Sequence, residues 1–178
     1  MSNSTLPKVL YISLDGIMEP LGYSQIFKYL EKLSGNHSIN LITFEKSNDL
    51  KNLNFLNKIS SDCRSNDIFW LRMKYTTGMM GVGQALNIIK LLIAPCYILI
   101  KKRIDIVHIR SYMPGLFIPL LSTIFKFKFV FDIRGFWADE KHDRLNWKRS
   151  SYKYRFFKFL ESNLMRKADS IVTLTKES

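Results

Sequence analysis

Cysteine is nearly missing: Cys63 and Cys96 are the only two, far apart and outside any CxxC spacing. Cys96 also falls in an apolar run, so neither a zinc site nor a disulfide framework is indicated, and the usage fits a reducing compartment. Glycine is present but not arranged for a nucleotide, since neither the GxGxxG of dinucleotide folds nor the GxxxxGK[ST] of P-loops occurs. Acidic residues are in deficit, 15 against 27 Lys and Arg, which leaves a net charge of +12. That imbalance asks for an anionic partner such as phosphate groups, nucleic acid or an anionic membrane, and charge alone does not choose among them. A secretory leader is not indicated, because a single Lys8 precedes the short run from Val9 to Leu14 that Asp15 ends. Leu86 to Ile100 is the nearest approach to a membrane span. It is shorter than the roughly 18 to 20 apolar residues a span needs, and Lys90 and Pro95 interrupt it, so a buried helix kinked at Pro95 is expected.

What is present is a core and a rhythm. With 47% hydrophobic residues, 178 residues bury one sizeable core. Lys8 to Leu14, Ser38 to Phe44, Ile68 to Met73, Asp105 to Arg110, Phe127 to Ile133 and Asp169 to Thr173 read as strands, rich in β-branched and aromatic residues. Between them, helical spacing appears in Ile26, Phe27, Leu30 and Leu33, in Leu50, Leu53, Leu56 and Ile59, in the long apolar run, in Gly115 to Phe125, and from Ser151 to Lys167. A polar and basic segment joins Glu140 to the last of these. Such alternation predicts an α/β fold, a Rossmann-like parallel sheet with helices on both faces. The pattern stops just after its sixth strand, so a partial chain is expected.

The stretch FKFVFDIRGFWADE, Phe127 to Glu140, concentrates the candidate chemistry. An apolar strand runs straight into Asp132, Arg134, Gly135, Asp139 and Glu140, and ligands of open α/β sheets bind outside the carboxyl ends of strands. DIVHIRSY carries His108 and Arg110 to the end of the preceding strand, on the same face as Ile106. His142 is expected in a solvent-facing loop. In SLDGIMEPLGYSQ, Gly16 and Gly22 stand between a strand and a helix, which allows close backbone approach and leaves N–H groups for a phosphate. WKRSSYKYRFFKF interleaves charge and aromatics, yet it carries no nucleic-acid motif and its phenylalanines fit helix packing, so no specific nucleic acid is expected.

DGIMEPLGYSQIFKYLEKL with ITFEK, DIVHIRSYMPG, FDIRGFWADE, and Glu161, Leu164, Ala168 and Asp169 followed by IVTLT, together resemble the N-terminal domain of family 4 glycosyltransferases of the GT-B fold. The resemblance covers nearly the whole chain and rests on the order and spacing of the segments. It implies the N-terminal half of a GT-B fold, an acceptor-binding Rossmann-like domain. In that family a C-terminal domain binds the nucleotide sugar, and retaining transfer occurs between the two domains without a metal or other cofactor. By position, Gly22 resembles the loop glycine that approaches the donor diphosphate, with Gly16 beside it. Arg134 stands near where many members carry a His, and Asp132 with Arg134 matches a D-x-R variant of that segment. Thr175 resembles the Ser or Thr after strand six.

On this reading Arg134, Asp132 and His108 are the candidate catalytic residues, and Arg110, Asp139, Glu140 and Thr175 the candidate substrate contacts. The donor domain, with its paired glutamates, has no counterpart in these residues, so the chain alone is expected to be inactive. The expected partners are a nucleotide sugar, a polysaccharide or lipid-linked glycan acceptor, and an anionic membrane surface, placing the chain in the cytoplasm or peripherally on the inner face of the cell membrane. The last expectation rests on Lys101, Lys102 and Arg103, and on Lys148, Arg149, Lys153, Arg155 and Lys158 with aromatics between them. The alternative is a non-catalytic membrane- or lipid-binding module left by truncation.

Overall fold

A computed structural model of the chain describes residues 6–78, 81–145 and 147–173. β1 (Lys8–Ile12) is buried at four of its five positions. The chain then turns through Gly16 into a continuous helical stretch: α1 (Pro20–Gly22), a π-helical turn (Tyr23–Phe27) and α2 (Lys28–Leu33). Pro20 suits a helix start, where its missing N–H costs nothing. β2 (Ser38–Glu45) is buried from its second residue onward, as a strand covered on both faces must be, with Asn40, Thr43 and Glu45 buried among its apolar residues. Asn52 caps α3 (Leu53–Ser65) by accepting from the Phe55 amide at 3.1 Å.

β3 (Phe69–Lys74) lies at the sheet edge and leads to α4 (Val82–Lys101), with Pro95 inside it. β4 (Ile106–Arg110), a 3-10 turn (Met113–Phe117) and α5 (Ile118–Ile124) follow. The chain continues through β5 (Lys128–Asp132), α6 (Trp137–Leu145), α7 (Tyr152–Lys167) and β6 (Ser170–Val172).

The six strands are all parallel and run in the order β3-β2-β1-β4-β5-β6. Each face of the sheet has its own core. Val9, Tyr11, Ile39 and Leu41 meet Ile26, Phe27 and Leu30 from the first helical stretch and Ile59 from α3 on one face. Leu10, Ile12, Ile42 and Phe44 meet Leu91 and Ile98 of α4, Leu121 of α5 and Leu164 of α7 on the other. Strand order reverses direction between β1 and β4, and a crevice at such a switch point is where open α/β sheets bind ligands.

The α/β Rossmann-like sheet agrees with the sequence pattern, and three local expectations are corrected. The polar segment after Glu140 is not a plain connection, because Trp137 to Leu145 forms α6. His142 therefore sits on a helix, half-buried, with Nδ1 2.5 Å from the Trp147 carbonyl oxygen, rather than in a solvent-facing loop. The apolar helix is only half interior: Leu91, Ala94 and Ile98 are buried, while Ile89, Ile93 and Ile100 are exposed.

Candidate functional site

Strand register builds the site. Tyr11 lies beside His108, and Arg110 lies beside Asp132, which in turn pairs with Val172. With side chains alternating along each strand, Tyr11, His108, Arg110 and Asp132 share one face at the carboxyl ends of β1, β4 and β5. Two turns hold the strand ends. Ser111, directly after Arg110, takes a left-handed φ of 68°, and its amide donates to the Asp132 carbonyl at 2.9 Å. Gly135, directly after Arg134, has φ 149°, and its carbonyl accepts from the Tyr112 hydroxyl at 2.7 Å. A left-handed non-glycine residue is uncommon enough to mark a site where surrounding structure holds the backbone.

The helical stretch closes the same face from above. Its π turn carries Gln25 and α2 carries Tyr29, one helical turn later, while Ile26, Phe27 and Leu30 point to the core. π turns concentrate at functional positions because the extra residue re-aims the side chains that follow. Gln25 Oε1 accepts from Arg110 Nη2 at 2.5 Å and from Arg134 Nη2 at 3.2 Å. Tyr11, Gln25, Tyr29, His108, Asp132, Arg134 and Val172 line an open cavity of about 300 Å³. A larger recess of about 480 Å³ lies at the amino ends of the strands, but its Asp105 is already engaged with the Lys8 amide at 2.8 Å.

Charge in the cavity is arranged in a chain. Arg110 Nε donates to Asp15 Oδ2 at 3.3 Å, Arg110 Nη1 stands 4.0 Å from Asp132 Oδ2, and Arg134 Nε stands 3.5 Å from the same oxygen. Five buried side-chain atoms lack a hydrogen-bond partner among the described residues, and four belong here: His108 Nε2, Arg110 Nη1, Asp132 Oδ1 and Arg134 Nε. Buried polar groups are nearly always paired, so each unpaired one needs a reason. His108, Arg110 and Asp132 are only 5%, 4% and 6% exposed.

Burial also tunes both titrating groups. It pushes the Asp132 carboxyl up to about 6, with Arg110 and the Tyr11 hydroxyl pulling the other way. Burial, aided by Arg110, lowers His108 to about 4, so its imidazole is neutral near pH 7. Desolvation raises the Tyr11 and Tyr29 phenols as well, and both stay protonated. Among the described residues no three His, Cys, Asp or Glu side chains converge as a metal site would require.

The glycine loop is packed for closeness. A Cβ on Gly22 would overlap the Gly16 carbonyl oxygen, and one on Gly16 would overlap the Glu45 carboxylate. The loop amides expected to be free are partly committed: Ile17 and Met18 each donate to Glu45 at 3.0 Å. Glu45 also accepts from Thr43 Oγ1 at 2.6 Å, and Thr43 from Trp70 Nε1 at 2.7 Å.

Of the sequence candidates, the structure gathers His108, Arg110, Asp132 and Arg134 and does not bring in the acidic pair. Asp139 accepts from Tyr154 at 2.7 Å and Lys158 at 2.9 Å, tying α6 to α7 and holding its carboxyl below the usual range. The Glu140 carboxylate lies over Gly135, and Thr175 falls outside the described residues. Tyr11, Gln25 and Tyr29, which line the cavity, were not singled out by the sequence; the π turn that places Gln25 has no local signature.

Fold and site together define an α/β protein with a Rossmann-like sheet and a polar, aromatic-walled cavity at its switch point. Set against protein-family models and against curated proteins, the chain matches none.

Proposed function

We propose that this chain is the acceptor-side domain of a retaining, metal-independent glycosyltransferase of the GT-B type, acting on a polysaccharide or lipid-linked glycan. The observation that carries the reading is the set of four buried atoms in the cavity that make no hydrogen bond among the described residues. Asp132 Oδ1 has no hydrogen-bond donor, and the nearby guanidinium groups reach the Asp132 carboxylate only at 3.5 and 4.0 Å, which leaves donor and acceptor capacity that hydroxyl groups, donating and accepting at once, complement. Tyr29, which lines the cavity and is exposed, offers an aromatic surface for a sugar ring. The resemblance to family 4 glycosyltransferases agrees with this placement at the strand carboxyl ends.

In such an enzyme Asp132 and Arg110 would orient the acceptor, with neutral His108 as a further hydrogen-bonding partner. Arg134 would face charge developing on the leaving diphosphate, which a preorganised cation stabilises in a water-poor site. The backbone between Gly16 and Gly22 would approach that diphosphate, and the nucleotide sugar itself would be held by a second domain of the kind the resemblance implies. Saccharide binding by the chain, followed by amide chemical shifts across a panel of neutral and anionic glycans, tests the reading. Shifts are expected at Tyr11, Gln25, His108 and Asp132, and Asp132→Asn and Arg134→Ala should weaken binding by roughly tenfold or more. A panel without a single binder, or binding that leaves the cavity amides unmoved, would overturn it. The second reading, a non-catalytic membrane- or lipid-binding module, is favoured by the exposed apolar residues of α4.

A further inference from the structure

α4 is apolar on two sides. Its inner side, Leu91, Ala94, Ile98 and Leu99, is built into the core. Its outer side repeats Leu86, Ile89, Ile93, Tyr97 and Ile100 at helical spacing, with Ile93 61% and Ile100 71% exposed. At a rise of about 1.5 Å per residue this stripe runs for about 21 Å. α5, packed on the same face of the sheet, adds exposed Leu120 and Ile124. An apolar stripe on each of two sides belongs in an interior or against lipid, and the outer one is left exposed by the described residues.

The charge around the stripe identifies its partner. From Ile68 to Phe131 the sequence holds a single acidic residue, Asp105, and its carboxylate accepts from the Lys8 amide. Exposed Lys101 and Arg103 close the end of α4, and exposed Lys126 follows α5. Lys102 is otherwise engaged, donating to Asn40 and lying over Phe69. A second copy meeting it face to face would present a surface equally poor in acid, whereas an anionic headgroup layer complements apolar residues flanked at one end by cations. α4 is long and apolar enough to cross a bilayer, but crossing would pull Leu91 and Ile98 out from under the sheet.

We propose that the outer face of α4, continued by α5, lies flat on an anionic bilayer and docks the protein there. Because α4 returns antiparallel to the strands, its first turns stand at the end of the sheet that holds the cavity. There Asn87 and Lys90 bond the chain around Thr76 just after β3. The docking face is separate from the cavity, so it goes beyond the sugar-transfer reading and stands or falls without it.

Co-sedimentation with phosphatidylcholine vesicles, with and without phosphatidylglycerol, tests the proposal. Binding is expected only when phosphatidylglycerol is present and should weaken with salt. Ile93→Glu/Tyr97→Glu should lose roughly tenfold or more of it. Lys58→Glu, an equal change of charge on α3 across the sheet, should bind nearly as the parent does. Ile93→Trp, which keeps the face apolar, should show added fluorescence quenching by brominated acyl chains; this readout holds even if the double variant folds poorly. Equal binding to neutral vesicles, no binding to anionic ones, or an unquenched tryptophan overturns the proposal. So does a dimer in sedimentation equilibrium that the double variant dissociates while vesicle binding is absent. Failure of glycan binding leaves each of these outcomes unchanged.

Discussion

Asp132 and His108 pull stability in opposite directions with pH, a consequence of putting a carboxyl and an imidazole into the same buried cavity. Asp132, raised from 3.8 to about 6, holds more protons folded than unfolded between those values, so its contribution to stability falls as pH rises through that window. His108, lowered from 6.5 to about 4, holds fewer protons folded, so its contribution falls as pH drops through nearly the same window. The two slopes nearly cancel in the parent chain. Asp132→Asn is therefore expected to lose stability on acidification from about pH 6.5 to 4, and His108→Gln to gain it, each on the order of 2 to 3 kcal/mol. Urea denaturation at stepped pH measures both, and identical pH profiles in the two variants would contradict the account. These residues were legible in the sequence because each stands at a strand's end. Gln25 was not, since its two guanidinium partners come from 85 and 109 residues away. Tyr11 reads in sequence only as one more apolar strand residue.

Among the elements, the loop between β1 and α1 depends on a residue of neither. Glu45, the last residue of β2, is fully buried and accepts from the Ile17 and Met18 amides and from Thr43. Burial raises its carboxyl, opposed by those hydrogen bonds. Glu45→Ala leaves two amides and a hydroxyl without an acceptor and should destabilise the fold by on the order of 3 kcal/mol. Glu45→Gln, which keeps one acceptor oxygen, should cost less. Trp70, linked through Thr43, gives the optical readout, and an alanine variant as stable as the glutamine one would count against this role. The strands and most helices followed from apolar periodicity, but α6 did not, because its nine residues are mostly polar. Its ends do carry a signal: Asp139 and Glu140 in the first turn and His142 and Arg144 in the last complement the helix dipole. What fixes it is aromatic packing at long range, Trp137 on Phe157 with ring centroids 4.3 Å apart.

For the whole molecule the question is whether two cores make one cooperative unit. Val9 and Tyr11 belong to one core and Leu10 and Ile12 to the other, so β1 threads both, and β2 does the same with Ile39 and Leu41 against Ile42 and Phe44. A strand cannot lose its packing on one face and keep its hydrogen bonds aligned for the other, so damage on either side should reach both. Leu30 is fully buried in the first core and Leu164 in the second, where it packs against Gly115. Leu30→Ala and Leu164→Ala are each expected to cost about 2 to 5 kcal/mol. Tryptophans report each side separately: Trp70 packs against the first core and Trp137 against the second. In a Trp137→Phe/Trp147→Phe background the signal comes from Trp70, and in a Trp70→Phe background from the other two. Either leucine variant should move the urea midpoint by the same amount in both backgrounds, as a single all-or-none transition requires. A midpoint that moves only for the tryptophan on the damaged side would mean that the sheet divides the molecule rather than joining it, and that the cavity at β1 and β4 can open without unfolding the helices behind it.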